Sequence, residues 1–337
     1  MRASFALAAL AALLSSLSPA GAARVRVPVA TAAPLLGAYW ESWDDTNPPS
    51  QFGPLGSIPQ SIALAEVADF EVHNGRASFQ GPYNAKPLGP GAAVLHARGA
   101  KIFLSIGGYS SRWGVRNTAA FVDAVANVLA ANPGVFDGFD FDDENIPYQD
   151  ATPQAGQQEI VRLIEAVHAR WPAMALSYTA FVMGADPVLD WSRDQGEDVA
   201  ILARLAPILS FVNVMEYTQY LGHGAVWHPS THPHCAWQPG AADDCYRDAL
   251  EQFVQLRTAN GTELGAGKVV MGLEIHPEQP QPPALTPAQM QAYGVWLRAN
   301  GYRGVAIWSI DRDRPGVSGY PRGSFTAAIA AGLFGHR

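Results

Sequence analysis

From about residue 35 to the end of the chain, short β-branched or apolar runs alternate with stretches whose apolar positions recur at helical spacing. Strand-like runs start at Leu35 (LLGAYW), Ser61 (SIALAEVADF), Lys101 (KIFLSIGG), Asp137 (DGFDFDDE), Ala175 (ALSYTAF), Phe211 (FVNVMEYT), Lys268 (KVVMGLEI) and Gly304 (GVAIWSID). Between them, Ala119 to Ala131 carries Phe121, Val122, Val125, Val128 and Leu129 on one helical face. Gln157 to Trp171 does the same with Ile160, Leu163, Ile164, Val167 and Trp171. Thr286-Pro287-Ala288-Gln289 predicts a helix start, with a Thr cap, Pro at the first helical position and Gln three residues after the cap. Eight strand–helix units predict a single-domain (β/α)8 barrel in the α/β class. A doubly wound open sheet is the competitor, but no G-x-G-x-x-G loop follows the first strand.

The first residues stand apart from this rhythm. Met1-Arg2, the apolar run Phe5 to Leu14 and the small residues Ala20-Gly21-Ala22 predict a cleaved signal peptide over residues 1–23. The apolar run is shorter than the roughly 20 residues that span a bilayer. An N-terminal extension over residues 24–34 and a catalytic barrel over 35–335 would follow. The expectation is a secreted or periplasmic monomer with no membrane attachment after cleavage. Charged residues make up 15% of the 337-residue chain, net charge is −8, and there is no block of Lys or Arg. Nucleic acid is therefore excluded as a partner, because neutralising phosphates needs clustered cations. In an exported protein the close pair Cys235 and Cys245 predicts a disulfide that pins a loop.

Candidate chemistry concentrates in Asp137-Gly138-Phe139-Asp140-Phe141-Asp142-Asp143-Glu144. Alternate residues of a strand share a face, so Asp140, Asp142 and Glu144 are expected to point into the barrel, with Phe139 and Phe141 under the helices. Like charges this close cannot all ionise cheaply, and burial adds a desolvation penalty. Such an arrangement belongs where shifted pKa values are used.

The spacing Asp137, Asp140, Asp142, Glu144 resembles the D-x-x-D-x-D-x-E signature of glycoside hydrolase family 18, the chitinases and endo-β-N-acetylglucosaminidases. Ser105-Ile106-Gly107-Gly108 resembles that family's S-x-G-G motif, Met215-Glu216-Tyr217 its M-x-Y motif, and Trp308 its last-strand tryptophan. The first strand, Gly37 to Trp43, is similar too. The resemblance implies substrate-assisted retaining hydrolysis of N-acetylglucosamine glycans, without cofactor or metal. It makes Glu144 the acid and then the base, Asp142 the group that holds the acetamide, and Asp140 the residue that shares its proton. Tyr217 would donate to the acetamido oxygen, and Trp308, Tyr39 and Met215 would line the sugar site. Asp137, Gly138, Ser105, Gly107 and Gly108 are expected to serve structure.

Two positions depart from the family pattern. Thr218 stands where Asp usually follows the tyrosine, and Asp143 precedes Glu144 where many chitinases carry Trp. The D-D-E run resembles bacterial endo-β-N-acetylglucosaminidases acting on the N-glycan chitobiose core, whereas I-W-S-I-D resembles chitinases. A lectin-like, non-catalytic barrel is a further alternative, although such members typically lose the final Glu. His223, His228, His232 and His234 raise a metal site, but they lie among Pro and Gly without a frame that would fix ligand geometry. The short interval from Lys268 to Gly304 leaves no room for the domain that deep-cleft chitinases insert between strands seven and eight, so an open cleft and non-processive endo cleavage are expected.

Overall fold

The computed structural model describes residues 33–42, 54–73, 76–79, 88–111, 113, 115, 117–142, 144, 153–182, 198–216, 242–275 and 285–335. The strands are β1 (Leu35–Glu41), β2 (Leu64–His73), β3 (Arg76–Phe79), β4 (Lys101–Gly107), β5 (Gly138–Asp142), β6 (Ala175–Phe181), β7 (Phe211–Met215), β8 (Val269–Glu274) and β9 (Gly304–Trp308). The helices are α1 (Gly89–Ala97), α2 (Thr118–Ala131), α3 (Pro153–Arg170), α4 (Asp198–Leu205), α5 (Ala242–Gln255), α6 (Pro287–Ala299), α7 (Pro315–Ser318) and α8 (Ser324–Phe334).

Eight strands pair in parallel in the order β1-β2-β4-β5-β6-β7-β8-β9, and β9 pairs back to β1, so the sheet closes on itself. This is the predicted (β/α)8 barrel. The ninth strand, β3, was not predicted. It pairs antiparallel with the end of β2 as a hairpin, with Phe70 opposite Phe79 and His73 opposite Arg76.

The helical expectations find direct counterparts. Thr286 accepts from the Gln289 N–H at 3.3 Å while the Gln289 side chain accepts from the Thr286 N–H at 2.9 Å, closing the capping box of α6. The Asn117 side chain caps α2 by accepting from the Ala120 N–H at 3.1 Å. Helices α6 and α8 cross with their backbones in contact. A β-carbon built on Gly332 would lie 2.3 Å from the Gln291 carbonyl and 3.0 Å from the α-carbon of Gly294, so only glycine permits that approach.

The core is divided by the barrel wall. Outside it, one large cluster joins Phe139 and Phe141 to Leu163, Ile164, Val167, Phe121 and Val125, the helical faces that the periodicity selects. Inside it, a small cluster of Leu64, Phe103, Phe211, Val270 and Ala306 is accompanied by Tyr39 and Trp308. The barrel interior otherwise holds polar side chains, and these form the site.

Candidate active site

The site is organised around β5. Asp140 and Asp142 occupy alternate positions, both buried, while Phe139 and Phe141 pack outward into the helical core. The ladder ends at Asp142, which pairs with Gly107 on β4 and Thr179 on β6. Glu144 lies two residues beyond the strand, half-buried. The expectation that it is the third member of a continuous strand is corrected in that respect, since β5 ends at Asp142, opposite the last residue of β4, Gly107.

Asp140 sits in a cage of hydroxyl groups. Ser177 Oγ donates to Oδ1 at 2.7 Å, Tyr39 Oη to Oδ2 at 2.9 Å and Ser105 Oγ to Oδ2 at 3.2 Å. Thr179 Oγ1 lies 3.0 and 3.1 Å from the two oxygens. Strand register explains the cage, because Ser105 and Ser177 are the direct neighbours of Asp140 on either side. Burial raises the Asp140 carboxyl above its usual value, and the bonds from Ser177, Tyr39, Thr179 and Ser105 pull it partly back. Ser105, expected to serve structure alone, therefore touches this carboxylate.

Gly107 and Gly108 bring β4 against the Asp142 backbone. The Gly108 N–H donates to the Asp142 carbonyl at 2.8 Å. A β-carbon on Gly107 would sit 1.9 Å from that same oxygen, and Gly107 has φ +126°, a conformation that favours glycine. Gly138 faces inward below Asp140, where a β-carbon would meet Phe103 at 2.5 Å and the Ala175 carbonyl at 2.6 Å.

Asp137 sits at the opposite end of β5, outside the site. Its carboxylate accepts from the Ile102 N–H at 2.9 Å, from Lys101 Nζ at 3.0 Å and contacts His96 Nε2 at 3.0 Å. Burial pushes this carboxyl up, but the Ile102 N–H, Lys101 and His96 outweigh it and hold it below the usual carboxylate value.

The sugar-site candidates lie at the C-terminal ends of the strands, where barrels of this kind carry their sites. Trp308 ends β9, half-buried, and meets the Tyr39 ring edge-on with centroids 5.4 Å apart. Met215 is buried at the end of β7. The next residue, Glu216, is fully buried, and burial alone pushes its carboxyl well above the usual value.

Several residues went unnoticed in the sequence. Arg312 lies 3.1 Å from Glu41 and 3.3 Å from Glu274, with its guanidinium 5.9 Å from the centre of the Trp308 ring. Ser309 donates to Glu41, and Asp311 accepts from the Glu41 N–H at 2.8 Å. Glu66 and Asn213 lie inside the barrel beside Tyr39 and Thr179. Only the run Ile307 to Asp313 carried a signal, through its acids and arginine next to the tryptophan.

Tyr217, Asp143, Thr218, Cys235 and the histidines of 223–234 lie outside the described residues, as do residues 1–32. Cys245 falls in α5, so the expected disulfide is not placed. Among the described residues there is no cluster of metal-ligating side chains, and no helix is long and apolar enough to cross a membrane.

No protein-family model and no curated protein matches the sequence. Solved structures do. A family GH18 chitinase from Chromobacterium violaceum superposes with a TM-score of 0.68 at 21% identity, covering 91% of this chain and 84% of that one. A putative chitinase A from Streptomyces coelicolor gives 0.62 at 17% identity, with coverage of 89% and 98%. Human YKL-39, described as a pseudo-chitinase with retained chitooligosaccharide binding, gives 0.62 at 17% identity, with coverage of 89% and 100%. The chain therefore has the barrel fold of the glycoside hydrolase family 18 chitinases and chitinase-like proteins.

Proposed function

We propose that this protein is a secreted, chitinase-like endo-glycosidase that hydrolyses β-1,4 bonds between N-acetylglucosamine units with retention at the anomeric carbon. The observation that carries the reading is the pair of buried acids, Asp140 and Asp142, on one face of a barrel strand, with Glu144 just past its C-terminal end.

In this reading Glu144 protonates the glycosidic oxygen. The acetamido carbonyl of the same sugar attacks its own anomeric carbon, and the leaving sugar departs as an alcohol. An oxazolinium-like intermediate results, and Glu144 then takes a proton from the water that opens it. Asp142 holds the acetamide N–H and balances the positive charge. Asp140 keeps negative charge close beneath, which favours the protonated form of Glu144. Tyr217 supplies a hydroxyl to the acetamide oxygen, while Trp308, Tyr39 and Met215 form the floor and wall of the sugar site.

The D-D-E run at Asp142-Asp143-Glu144 favours a second substrate, the chitobiose core of N-glycans. Product analysis after incubation with chitopentaose and, separately, with a high-mannose glycoprotein decides between them. Release of shorter chito-oligomers with retained configuration supports the chitinase reading. Released glycans from the glycoprotein alone support the alternative. Binding to both with cleavage of neither overturns the enzymatic reading in favour of a lectin-like barrel.

A further inference from the structure

A second carboxyl lies inside the barrel behind Asp140. Glu66, on β2, is completely buried and is the register neighbour of Tyr39. Its Oε1 accepts from Asn213 Nδ2 at 3.2 Å, and the same Nδ2 lies 3.2 Å from the Tyr39 hydroxyl. Its Oε2 is buried and has no hydrogen-bond partner among the described residues.

Counting hydrogens shows how unevenly the two carboxyls are served. Asp140 receives four hydroxyl groups, from Tyr39, Ser105, Ser177 and Thr179, which satisfy both of its oxygens as a carboxylate. Glu66 receives one amide. The Asn213 NH2 lies 3.2 Å from each of three oxygens, on Glu66, Tyr39 and Thr179, and it has two hydrogens to give them. An ionised Glu66 would leave a bare anionic oxygen in a dry interior, beside a second anion. A protonated Glu66 leaves no anionic oxygen bare, and the Asn213 NH2 links it to the Tyr39 hydroxyl. Tyr39 has a single hydroxyl hydrogen, and it points at Asp140.

We propose that Glu66 is a proton-holding positioning residue, whose neutral carboxyl keeps the Tyr39 hydroxyl directed at Asp140 and so leaves Asp140 as the one anion at the base of the site. When Glu66 gives up its proton, two carboxylates compete for one hydroxyl hydrogen and the Tyr39–Asp140 bond is lost for part of the time. Among the described residues, the groups that face Glu66 are Tyr39 from β1, Phe103 from β4, Asp140 from β5 and Asn213 from β7, with no cation to offset a second charge. Burial, followed by the negative charge of Asp140, pushes the Glu66 carboxyl well above its usual value, in agreement with that geometry.

The substitution Glu66→Gln tests this by fixing the neutral state. A group with a raised native pKa contributes stability below its unfolded value, about 4.3, and that contribution is lost as pH rises through the native value. Melting temperatures of the two proteins between pH 5 and pH 9 are therefore expected to diverge in favour of the variant as pH rises. A constant difference across that range would overturn the proton assignment. So would failure of Glu66→Gln to fold at pH 5, because an amide should replace a neutral carboxyl there.

The second arm rests on the glycosidase reading. The ratio of kcat at pH 8 to kcat at pH 5, on a chromogenic chitobioside, is expected to rise about threefold or more in the variant. An unchanged ratio would overturn the positioning role even if the melting curves diverge. The melting arm needs no substrate, so it stands apart from the question of which glycan is cleaved.

Discussion

Gly107→Ala tests the link between the glycine pair on β4 and the carboxylate strand. The added β-carbon would lie 1.9 Å from the Asp142 carbonyl oxygen, at least ~1 Å inside any comfortable contact. Two costs follow. Holding an L-residue at φ +126° costs on the order of 1–3 kcal/mol. Forcing the two backbones apart costs roughly a further 1–3 kcal/mol. Gly99 provides the control, since it has φ +81° but nothing within 4 Å of a built β-carbon. Gly99→Ala carries only the conformational cost, about 1 kcal/mol. Urea unfolding at neutral pH should therefore show Gly107→Ala to be less stable than Gly99→Ala by about 2 kcal/mol or more. Because the clash displaces Asp142 by about 1 Å, turnover of chito-oligosaccharides should also fall around a hundredfold. Equal stabilities for the two variants, or full activity in Gly107→Ala, would refute the argument that close approach of β4 sets the position of Asp142.

Other predictions concern the two ends of the barrel. Asp137 has a lowered pKa, so its contribution to stability is present above the unfolded carboxylate value and is lost as pH falls through the native one. Asp137→Asn should flatten that acid limb in a plot of melting temperature against pH, and an unchanged limb would count against the His96–Lys101 clasp. Trp308→Ala should raise KM on chitopentaose by about tenfold or more, with a smaller change in kcat, because a large ring lost from a sugar floor costs mainly binding. If kcat falls with KM unchanged, Trp308 does not form the floor. Ser177→Ala removes the shortest bond to Asp140 and should destabilise the fold by about 1–3 kcal/mol, measured by denaturant unfolding.

The barrel itself was legible in the sequence because its strands are buried on both faces and its helices on one, and these patterns differ in period. The face taken by Asp140 and Asp142 was legible for the same reason, with Phe139 and Phe141 marking the other side. Where the strand stops was not. β5 stops at Asp142, level with the end of β4 at Gly107 while β6 runs on to Phe181, and alternation within one segment carries no record of its partners. Glu66 and Asn213 were missed for a related reason. Asn213 is the single polar residue of β7 and Glu66 one of several acids on β2, and it is closure of the barrel that sets the two around Tyr39. The short β3 hairpin was hidden because four residues at an edge give too little pattern to read.

The central claim is that Glu144 performs the proton transfers of glycoside hydrolysis. Glu144→Gln keeps the shape of the side chain and removes its proton chemistry. Turnover of chitopentaose should fall by at least about 10²-fold, while the dissociation constant for the same oligosaccharide, measured by calorimetry, stays within about threefold of wild type. Wild-type turnover in the Gln variant would contradict the account.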